Sequence, residues 1–552
     1  MKRIVACILA AVMVLSCAAC GGSSSGETTA PAAPAASAAA SNTNEAVQTT
    51  GNGKIEVTVG VSADFGGLDP YGSSSTVKAS WTPAVYQTLF VLDEYGGTPE
   101  SVLVDSYTRV DDTTFDITIY DYIYDTAGNH ITASDVKYSY DYAKECGTVT
   151  KMYYIDSVEV LDDFTVRLKT SSNAIGVWQY ALTNVYIVSE KAHTESGDFF
   201  ATSNCGTGPY TVGEYTPSSK LELIKKEDYW QKDDSLIPAM YKANADRVIY
   251  NVISESTQMG IAMENGSIDM ILTITGSEVS RFADEAGNAK AGYNVYGTLN
   301  TLIDCMFFNM DEGSIFADNL ALRQAILYAI DTAGLVTVAL DGRGEQCYAF
   351  GSSVYADYLD EWIGHDYFNQ DVEKAEALLA ESGYVQTSPI RIMYQNNDQY
   401  KAEAEMIQAY LLGIGLECEL LGYDTSLFNE YKYNSAQWDI KIDPCKSPDQ
   451  LPNLWGYCLN SDNYENGTTN FIHSDELQQM TVAIATEEGH NEETIRAYEQ
   501  YLEDNAWLIG LIDPYQYCIA KDSVTNILIN AKNYCSVWAC DFADNFVGAA
   551  SK

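Results

Sequence analysis

Polar and apolar residues alternate along several short stretches of the chain, which is the pattern of β-strands with one buried face. These stretches are 55–61, 113–120, 157–160 and 165–169. Elsewhere apolar residues recur at intervals of three and four, the spacing of a helix that packs on one side. This spacing predicts helices that begin at Ser134, Asp318 and Asp371, and another over 405–412. Alternating strands and helices predict mixed α/β lobes.

The first residues of the chain carry the pattern of an export signal. Lys2 and Arg3 precede an apolar stretch over 4–19, which is shorter than the roughly 20 residues that a membrane-spanning helix needs. It ends in small residues before Cys20, and two glycines follow, which resembles the lipobox of bacterial lipoproteins. Cys17 offers a second position for the same reaction. We expect a lipoprotein signal peptide over 1–19 and a diacylated Cys20, because two acyl chains anchor a protein stably.

Residues 20–54 comprise this cysteine and a linker rich in Ser, Gly, Ala, Pro, Thr and Asn, without hydrophobic periodicity. Such a composition is typical of a flexible tether. No later stretch is long and apolar enough to span a bilayer. We therefore expect an extracytoplasmic protein that meets the membrane only through its lipid, on the outer face of the plasma membrane or in a periplasm.

Composition and charge exclude several classes of protein. The chain has 77 Asp and Glu residues against 31 Lys and Arg, a formal net charge of −46, and 46% hydrophobic residues. So much negative charge disfavours nucleic acids and anionic lipid surfaces as partners, and so many hydrophobic residues are inconsistent with disorder.

Motifs for enzymatic chemistry are missing from the folded part of the sequence. It contains no HExxH, P-loop, dinucleotide loop or serine elbow in a folded context, and neither the scattered cysteines nor the five histidines have metal-ligand spacing. We expect no cofactor, no metal and no catalysis. A secreted hydrolase that uses two carboxylates stays open as a minor alternative.

Short motifs follow one another in an order that resembles one family. They are Leu68-Asp69-Pro70, 131–139 (ITASDVKYS), 206–210 (GTGPY) with 228–230 (DYW), 266–269 (GSID), Phe308-Asn309 with 322–326 (LRQAI) and 328–331 (YAID), and 374–384 (KAEALLAESGY). Together they resemble the extracytoplasmic solute-binding proteins of ABC importers, family 5, which is the oligopeptide and dipeptide class.

This resemblance implies an α/β, two-lobed periplasmic-binding-protein fold (class II, cluster C) with an extra subdomain in lobe one. Carried over, lobe one comprises 55–85, 203–297 and 512–552, the extra subdomain 86–202, and lobe two 298–511. The strands that cross between the lobes are then expected near 299–309 and 508–519.

The resemblance also implies a function. A family member captures a short, extended peptide by closing its lobes and delivers it to an ABC permease and its ATPase subunits, as a monomer. An oligosaccharide or another small solute is the alternative ligand, which the richness in tyrosine (40 residues) favours.

Candidate ligand-binding residues come from two patterns. The family places an aspartate for the peptide's α-ammonium after a strand like 438–442 (WDIKI), and here Asp449 or Asp443 is expected to serve, while Lys446 at that point would favour an anionic or neutral ligand. Aromatic residues that can wall the cleft are Phe65, Trp81, Trp455, Tyr515, Tyr517 and Trp538. For each of these residues a purely structural role is the alternative.

Overall fold

The structure is a computed structural model. It describes residues 53–72, 77–92, 99–149, 152–174, 176–274, 276–284, 287–299, 301–365, 367–446, 450–460, 470–529 and 535–551. The predicted signal peptide, Cys20 and Asp449 lie outside the described residues, as does the side chain of Lys446.

The strands lie throughout the described chain. They are β1 (Glu56–Val61), β2 (Phe90–Val91), β3 (Glu100–Ser101), β4 (Val104–Asp111), β5 (Thr114–Ile119), β6 (Ile155–Val160), β7 (Thr165–Thr170), β8 (Tyr210–Thr216), β9 (Lys220–Lys225), β10 (Arg247–Val252), β11 (Met270–Ile274), β12 (Tyr293–Leu299), β13 (Leu302–Phe308), β14 (Gly344–Gln346), β15 (Ile390–Gln395), β16 (Cys418–Tyr423), β17 (Ile440–Lys446), β18 (Leu508–Lys521), β19 (Val524–Thr525) and β20 (Asp541–Phe542).

The helices are interleaved with these strands, which confirms the mixed α/β prediction. They are α1 (Thr82–Val85), α2 (Ala133–Cys146), α3 (Val177–Thr183), α4 (Glu190–Glu195), α5 (Ser256–Glu264), α6 (Gly276–Val279), α7 (Leu320–Ala329), α8 (Thr332–Ala339), α9 (Val372–Glu381), α10 (Asp398–Gly413), α11 (Thr425–Tyr431), α12 (Leu451–Leu459), α13 (Asp475–Ile484) and α14 (Glu492–Asn505).

Two segments of the chain connect two regions of one large sheet. Strand order in the large sheet is β16-β15-β17-β13-β18-β11-β1-β10-β9-β8, and β12 and β14 also pair with β18. The first half of β18 pairs with β13, from Leu508 to Ile512, and its second half pairs with β12, from Tyr515 to Lys521. Since β13 is the next strand after β12 along the chain, the chain crosses between the two regions once between these strands and once within β18.

Each sheet region has its own apolar core. One core uses residues from 57 to 270 and from 518 to 546, and the other uses residues from 303 to 512. We call the parts built around them lobe one and lobe two. A separate four-stranded sheet, β4-β5-β7-β6, adds to the first core together with α2, and we call it the extra subdomain. The residue limits expected for these parts stay predictions.

Two helix starts differ from the sequence-based expectation. Thr132, not Ser134, caps α2, because Thr132 and Asp135 form a reciprocal capping box. Asn319, not Asp318, caps α7 by accepting from the amide of Leu322. The expected start at Asp371 is confirmed, since its side chain accepts from the amide of Lys374.

The glycines of the GTGPY motif allow two backbones to approach each other. A Cβ on Gly206 would lie 2.0 Å from the carbonyl oxygen of Val85, and one on Gly208 would lie 2.3 Å from that of Ala84. Neither glycine has a positive φ. The motif therefore seats strand β8 against α1 within lobe one, where only glycine leaves enough space.

Candidate ligand-binding cleft

A cavity of about 2230 Å³ lies where the two lobes and the extra subdomain meet. We call it the cleft. Its walls come from the ends of β1 and β11 in lobe one, from 152–154 and 172–174 in the extra subdomain, and from 338–341, 397–400 and α12 in lobe two. Residues 514–516 of the crossing strand β18 form part of the same surface. The cleft is thus bounded by the segments that would move if the lobes changed their relative position.

The described lining of the cleft is nearly free of charge. Asp341, Arg343 and Asp398 are the only Asp, Glu, Lys or Arg residues among these described lining residues. The other polar groups are hydroxyls and amides, such as those of Ser62, Asn397 and Gln516. Because the whole chain carries −46, this neutral lining is a local property of the cleft and differs from the rest of the surface.

Tyrosines provide most of the aromatic surface in the cleft. Tyr153, Tyr154, Tyr180, Tyr400, Tyr457 and Tyr515 line it. Tyr515, one of the predicted residues, donates its hydroxyl to Glu345 Oε1 at 2.8 Å. Burial, and then the bond to Glu345, raise the pKa of its hydroxyl, so Tyr515 faces the cleft as a neutral phenol.

The other predicted aromatic residues lie elsewhere. Phe65, Trp81 and Trp538 are buried in the core of lobe one, and Trp455 is buried in that of lobe two, stacked on Tyr498 at a centroid distance of 4.4 Å. Two of the indoles also form hydrogen bonds inside these cores. Trp455 Nε1 donates to Phe350 O at 2.8 Å, and Trp538 Nε1 donates to Met240 O at the same distance.

Tyr517 follows Tyr515 by two residues on β18, so its side chain lies on the same side of the strand. Its ring packs against Gly297 and the small core around Ile519. It is not among the lining residues of the cleft. The structure thus brings only Tyr515, of the predicted aromatic residues, to the cavity surface.

Asp443 lies under the cleft and is already paired. The residue is 4% exposed, and its carboxylate lies 3.4 Å from Lys441 Nζ and 3.8 Å from Lys432 Nζ. Burial raises the pKa of Asp443, although the two lysines act in the opposite direction. An α-ammonium would have to compete with two buried or nearly buried cations for this group, so Asp443 is poorly placed to bind one in this conformation.

A buried network, absent from the sequence-based predictions, orients one lining residue. Gln399 donates its side-chain amide to Asp304 Oδ2 at 2.6 Å and to Glu403 Oε1 at 3.2 Å. Both carboxyl groups are fully buried. Burial raises the pKa of Asp304 to about 7, and burial together with the charge of Asp304 raises that of Glu403. Since Gln399 also lines the cleft, these bonds hold one side chain of the cleft wall in place.

The extra subdomain and lobe two contact each other at one side of the cleft. Arg109 donates to both carboxylate oxygens of Glu487, at 2.8 and 3.1 Å. Ala174 and Thr486, which both line the cleft, form an antiparallel β-bridge. The structure thus has the lobes in contact on this side of the cavity.

Comparison with known proteins identifies the family. The sequence matches the family described as "Bacterial extracellular solute-binding proteins, family 5 Middle" over residues 98–463. The chain belongs to this family. The resemblance deduced from the short motifs is therefore confirmed, and this family 5 protein is a substrate-binding receptor of the kind that serves ABC importers.

Relatives of this family 5 protein are distant. The "Glutathione-binding protein GsiB" of Escherichia coli O1:K1 / APEC is 24% identical over 380 residues, which make up 67% of this chain and 70% of that protein. The protein of the same name from Salmonella typhimurium shows the same identity and coverage.

Solved structures with the same fold confirm the two-lobed architecture. The substrate-binding protein CtaP from Listeria monocytogenes matches with a TM-score of 0.74 at 18% identity, over 89% of this chain and 99% of that one. A putative peptide-binding protein, AppA, from Clostridium difficile matches with a TM-score of 0.74 at 18% identity, over 88% and 100%. A dipeptide-binding protein from Pseudoalteromonas, in complex with Met-Leu, matches with a TM-score of 0.70 at 16% identity, over 88% and 100%.

The family is extracytoplasmic. Within the described part of this family 5 protein, none of the helices has the length and hydropathy required to cross a bilayer.

Proposed function

We propose that this protein is a lipid-anchored, extracytoplasmic receptor that captures short peptides between its lobes and delivers them to an ABC permease. The observation that carries this proposal is the large cleft between two lobes that are joined by strand β18 and by the connection from β12 to β13. A ligand that contacts both walls has a higher affinity for the closed state and therefore stabilises it. The closed, loaded form is the one that the permease and its ATPase subunits would recognise.

The chemistry of the cleft is compatible with a peptide. Side-chain amides from both lobes, among them Asn397, Asn453 and Gln516, line it and offer both donors and acceptors to a peptide backbone. The names of related proteins, glutathione-binding and dipeptide-binding, point the same way. Among the predicted residues we assign ligand contact to Tyr515, and Asp449 remains the candidate for the α-ammonium because Asp443 is paired with lysines.

An oligosaccharide is the second candidate ligand. The nearly uncharged lining and the six tyrosines favour it, because a phenol ring packs against a sugar face while its hydroxyl accepts or donates a hydrogen bond. Both candidates keep the receptor role and differ only in the solute.

Thermal unfolding of the full-length protein, purified in mild detergent, separates these candidates. The protein is screened against di- to pentapeptides and against neutral oligosaccharides. Ligand at 100 times its Kd stabilises the folded state by about 2.7 kcal/mol, so binding appears as a higher melting temperature. Peptides alone should raise it. A rise with sugars and none with peptides would replace the peptide proposal by the second candidate.

The lipid anchor is tested by membrane fractionation. Cys20→Ala should release the protein from the membrane fraction, because the thiol that receives the acyl chains is lost. Cys17→Ala is the matched control and should leave the protein membrane-bound. Release by Cys17→Ala, and none by Cys20→Ala, would place the anchor at Cys17.

A further inference from the structure

Arg343 is the one cation among the described residues that line the cleft. It lies between α8 and β14 in lobe two, and two bonds fix its position. Its backbone carbonyl accepts from the amide of Tyr515 at 3.1 Å, and its Nε donates to the carbonyl oxygen of Gly276 in lobe one at 2.7 Å. The guanidinium thus lies where lobe one, lobe two and the crossing strand β18 meet.

The side chain of Arg343 occupies a space that glycine leaves open. A Cβ on Gly276 would lie 3.3 Å from Cδ of Arg343, which is closer than ordinary packing allows. Gly344, the next residue, has a similarly close environment, since a Cβ there would lie 2.7 Å from the carbonyl oxygen of Asp513. The local chain therefore holds this arginine in one place against the cleft wall.

Most arginines of the described chain are neutralised by carboxylates, and Arg343 is not. Ion pairs within 4.0 Å hold Arg109, Arg167, Arg247, Arg281, Arg391 and Arg496. Arg323 is buried and donates to backbone carbonyls. In the described part of the chain, no Asp or Glu oxygen lies within that distance of the Arg343 guanidinium, although the protein has 77 acids.

A guanidinium has five N–H donors in a fixed fork that matches the two oxygens of a carboxylate. Only Nε of Arg343 is used by a described residue, so the terminal nitrogens remain for a ligand in the cleft. We propose that Arg343 binds a carboxylate group of the captured solute. This inference rests on the peptide-receptor function, and it makes the anionic group of the ligand a determinant of specificity.

Two sources of the carboxylate are distinguished by the choice of probes. The panel contains Ala-Ala-Ala, its C-terminal amide, and the amide of Asp-Ala-Ala, which carries a carboxylate only on its side chain. Binding of each to the full-length protein is measured by calorimetry in mild detergent. A charged hydrogen-bonded pair of this kind corresponds to roughly a 10- to 100-fold difference in affinity. The wild type should therefore prefer at least one carboxylate-bearing peptide over the tri-alanine amide by about that factor.

Substitution of Arg343 tests whether this residue is the cause. Arg343→Gln should abolish the preference for the carboxylate, read as the ratio of the affinities for Ala-Ala-Ala and for its amide in the same variant. Arg343→Lys, which keeps the charge but not the fork, should retain part of the preference and guards against misfolding of the first variant. Arg496→Gln, at a surface ion pair of lobe two outside the cleft, is the matched control and should bind as the wild type does.

The outcomes are distinguishable. Equal preference for the carboxylate in the wild type and in Arg343→Gln, with both proteins folded, would overturn the role of Arg343 and leave the peptide-receptor proposal intact. Absence of binding by all three peptides, with binding of a sugar, would overturn both. If only Ala-Ala-Ala is preferred, the C-terminus supplies the carboxylate, and if the amide of Asp-Ala-Ala is also preferred, a side chain can supply it.

Discussion

The two lobes differ in the partners of their buried carboxylates. In lobe one, Asp269 is fully buried and has a complete set of partners: the amide of Thr58 at 2.8 Å, the amide of Ala549 at 3.0 Å, and Lys521 Nζ. Glu222 in the same lobe is likewise paired with bases, Lys220 and Arg247. These charges are compensated where they lie, as a stable buried ion requires.

In lobe two, three fully or almost fully buried carboxyls have no base within 4.0 Å among the described residues: Asp304, Glu403 and Glu499. Asp304 and Glu403 share the amide of Gln399, and Glu499 accepts from the amide of Phe350 at 2.7 Å. Burial raises the pKa values of Asp304 and Glu499 to about 7. The difference teaches that lobe one pairs these buried carboxylates with bases, whereas lobe two, besides the lysine-paired Asp443, also buries three carboxyl groups without a base, and burial raises the pKa of each.

The largest effect is expected in lobe one. Asp269→Ala leaves Lys521 and two backbone amides without their acceptor, and removal of one partner of a buried ion pair typically costs about 3–5 kcal/mol. Denaturant unfolding should record a loss of that order in the free energy of unfolding. Asp228→Ala, at an exposed residue of the same lobe, is the control and should change it by less than about 0.5 kcal/mol. A loss as small for Asp269→Ala would show that this ion pair contributes little.

The second effect is a pH dependence that arises in lobe two. The folded-state pKa values of Asp304 and Glu499 lie near 7, above the ordinary values of 3.8 and 4.5. Between about pH 4 and pH 7 the folded state therefore binds more protons than the unfolded state, so stability falls as pH rises. Each such group contributes a slope of up to about 1.4 kcal/mol per pH unit.

Substitution tests the origin of this slope. Asp304→Asn combined with Glu499→Gln should flatten the decline in the free energy of unfolding between pH 4.5 and 7, because both groups are then neutral throughout. Glu361→Gln changes an acid on the surface of the same lobe and should leave the slope as it is. An unchanged slope in the double variant would mean that these two carboxyls do not carry it.

The smallest effect is expected for a solvent-exposed pair. Arg109 and Glu487 join the extra subdomain to lobe two, but both side chains are more than one third exposed. Such pairs typically contribute about 0.2–1 kcal/mol and are screened by salt. A double-mutant cycle with Arg109→Gln and Glu487→Gln should give a coupling in this range that disappears in 1 M salt. A coupling energy above this range that persists in 1 M salt would show that the pair behaves like the buried ion pairs of lobe one.

The secondary structure was predictable where local signals were unambiguous. Strand β1 and the start of α9 at Asp371 follow from alternation and from a single capping residue. The start of α2 was misplaced because Thr132 and Ser134 are both good caps, and only the return bond from Asp135 decides between them. Such choices depend on hydrogen bonds that residue type alone does not reveal.

The cleft was less predictable, because distant segments assemble it. A tryptophan side chain is equally suited to a cleft wall and to a hydrophobic core, so residue type alone does not decide between them. The structure buries both Trp81 and Trp455. Arg343 and Gln399 belong to no recognisable sequence motif. Their positions in the cleft depend on contacts with distant residues, Gly276 for the arginine and Asp304 for the glutamine amide. One signal was present, however: Asp304 interrupts the otherwise apolar stretch 302–308, and a lone acid in a buried strand requires a partner.

The path of β18 has a consequence for the synthesis of the protein. All residues of the lobe-two core precede 513, whereas lobe one still lacks the second half of β18, with β19 and β20, when that point is reached. During synthesis the N-terminal residues are made first. Lobe two can therefore complete its core before lobe one, whose last strands are at the end of the chain. Premature termination after about residue 514, where the pairing of β18 with β14 is complete, would thus leave lobe two complete and lobe one without its last strands.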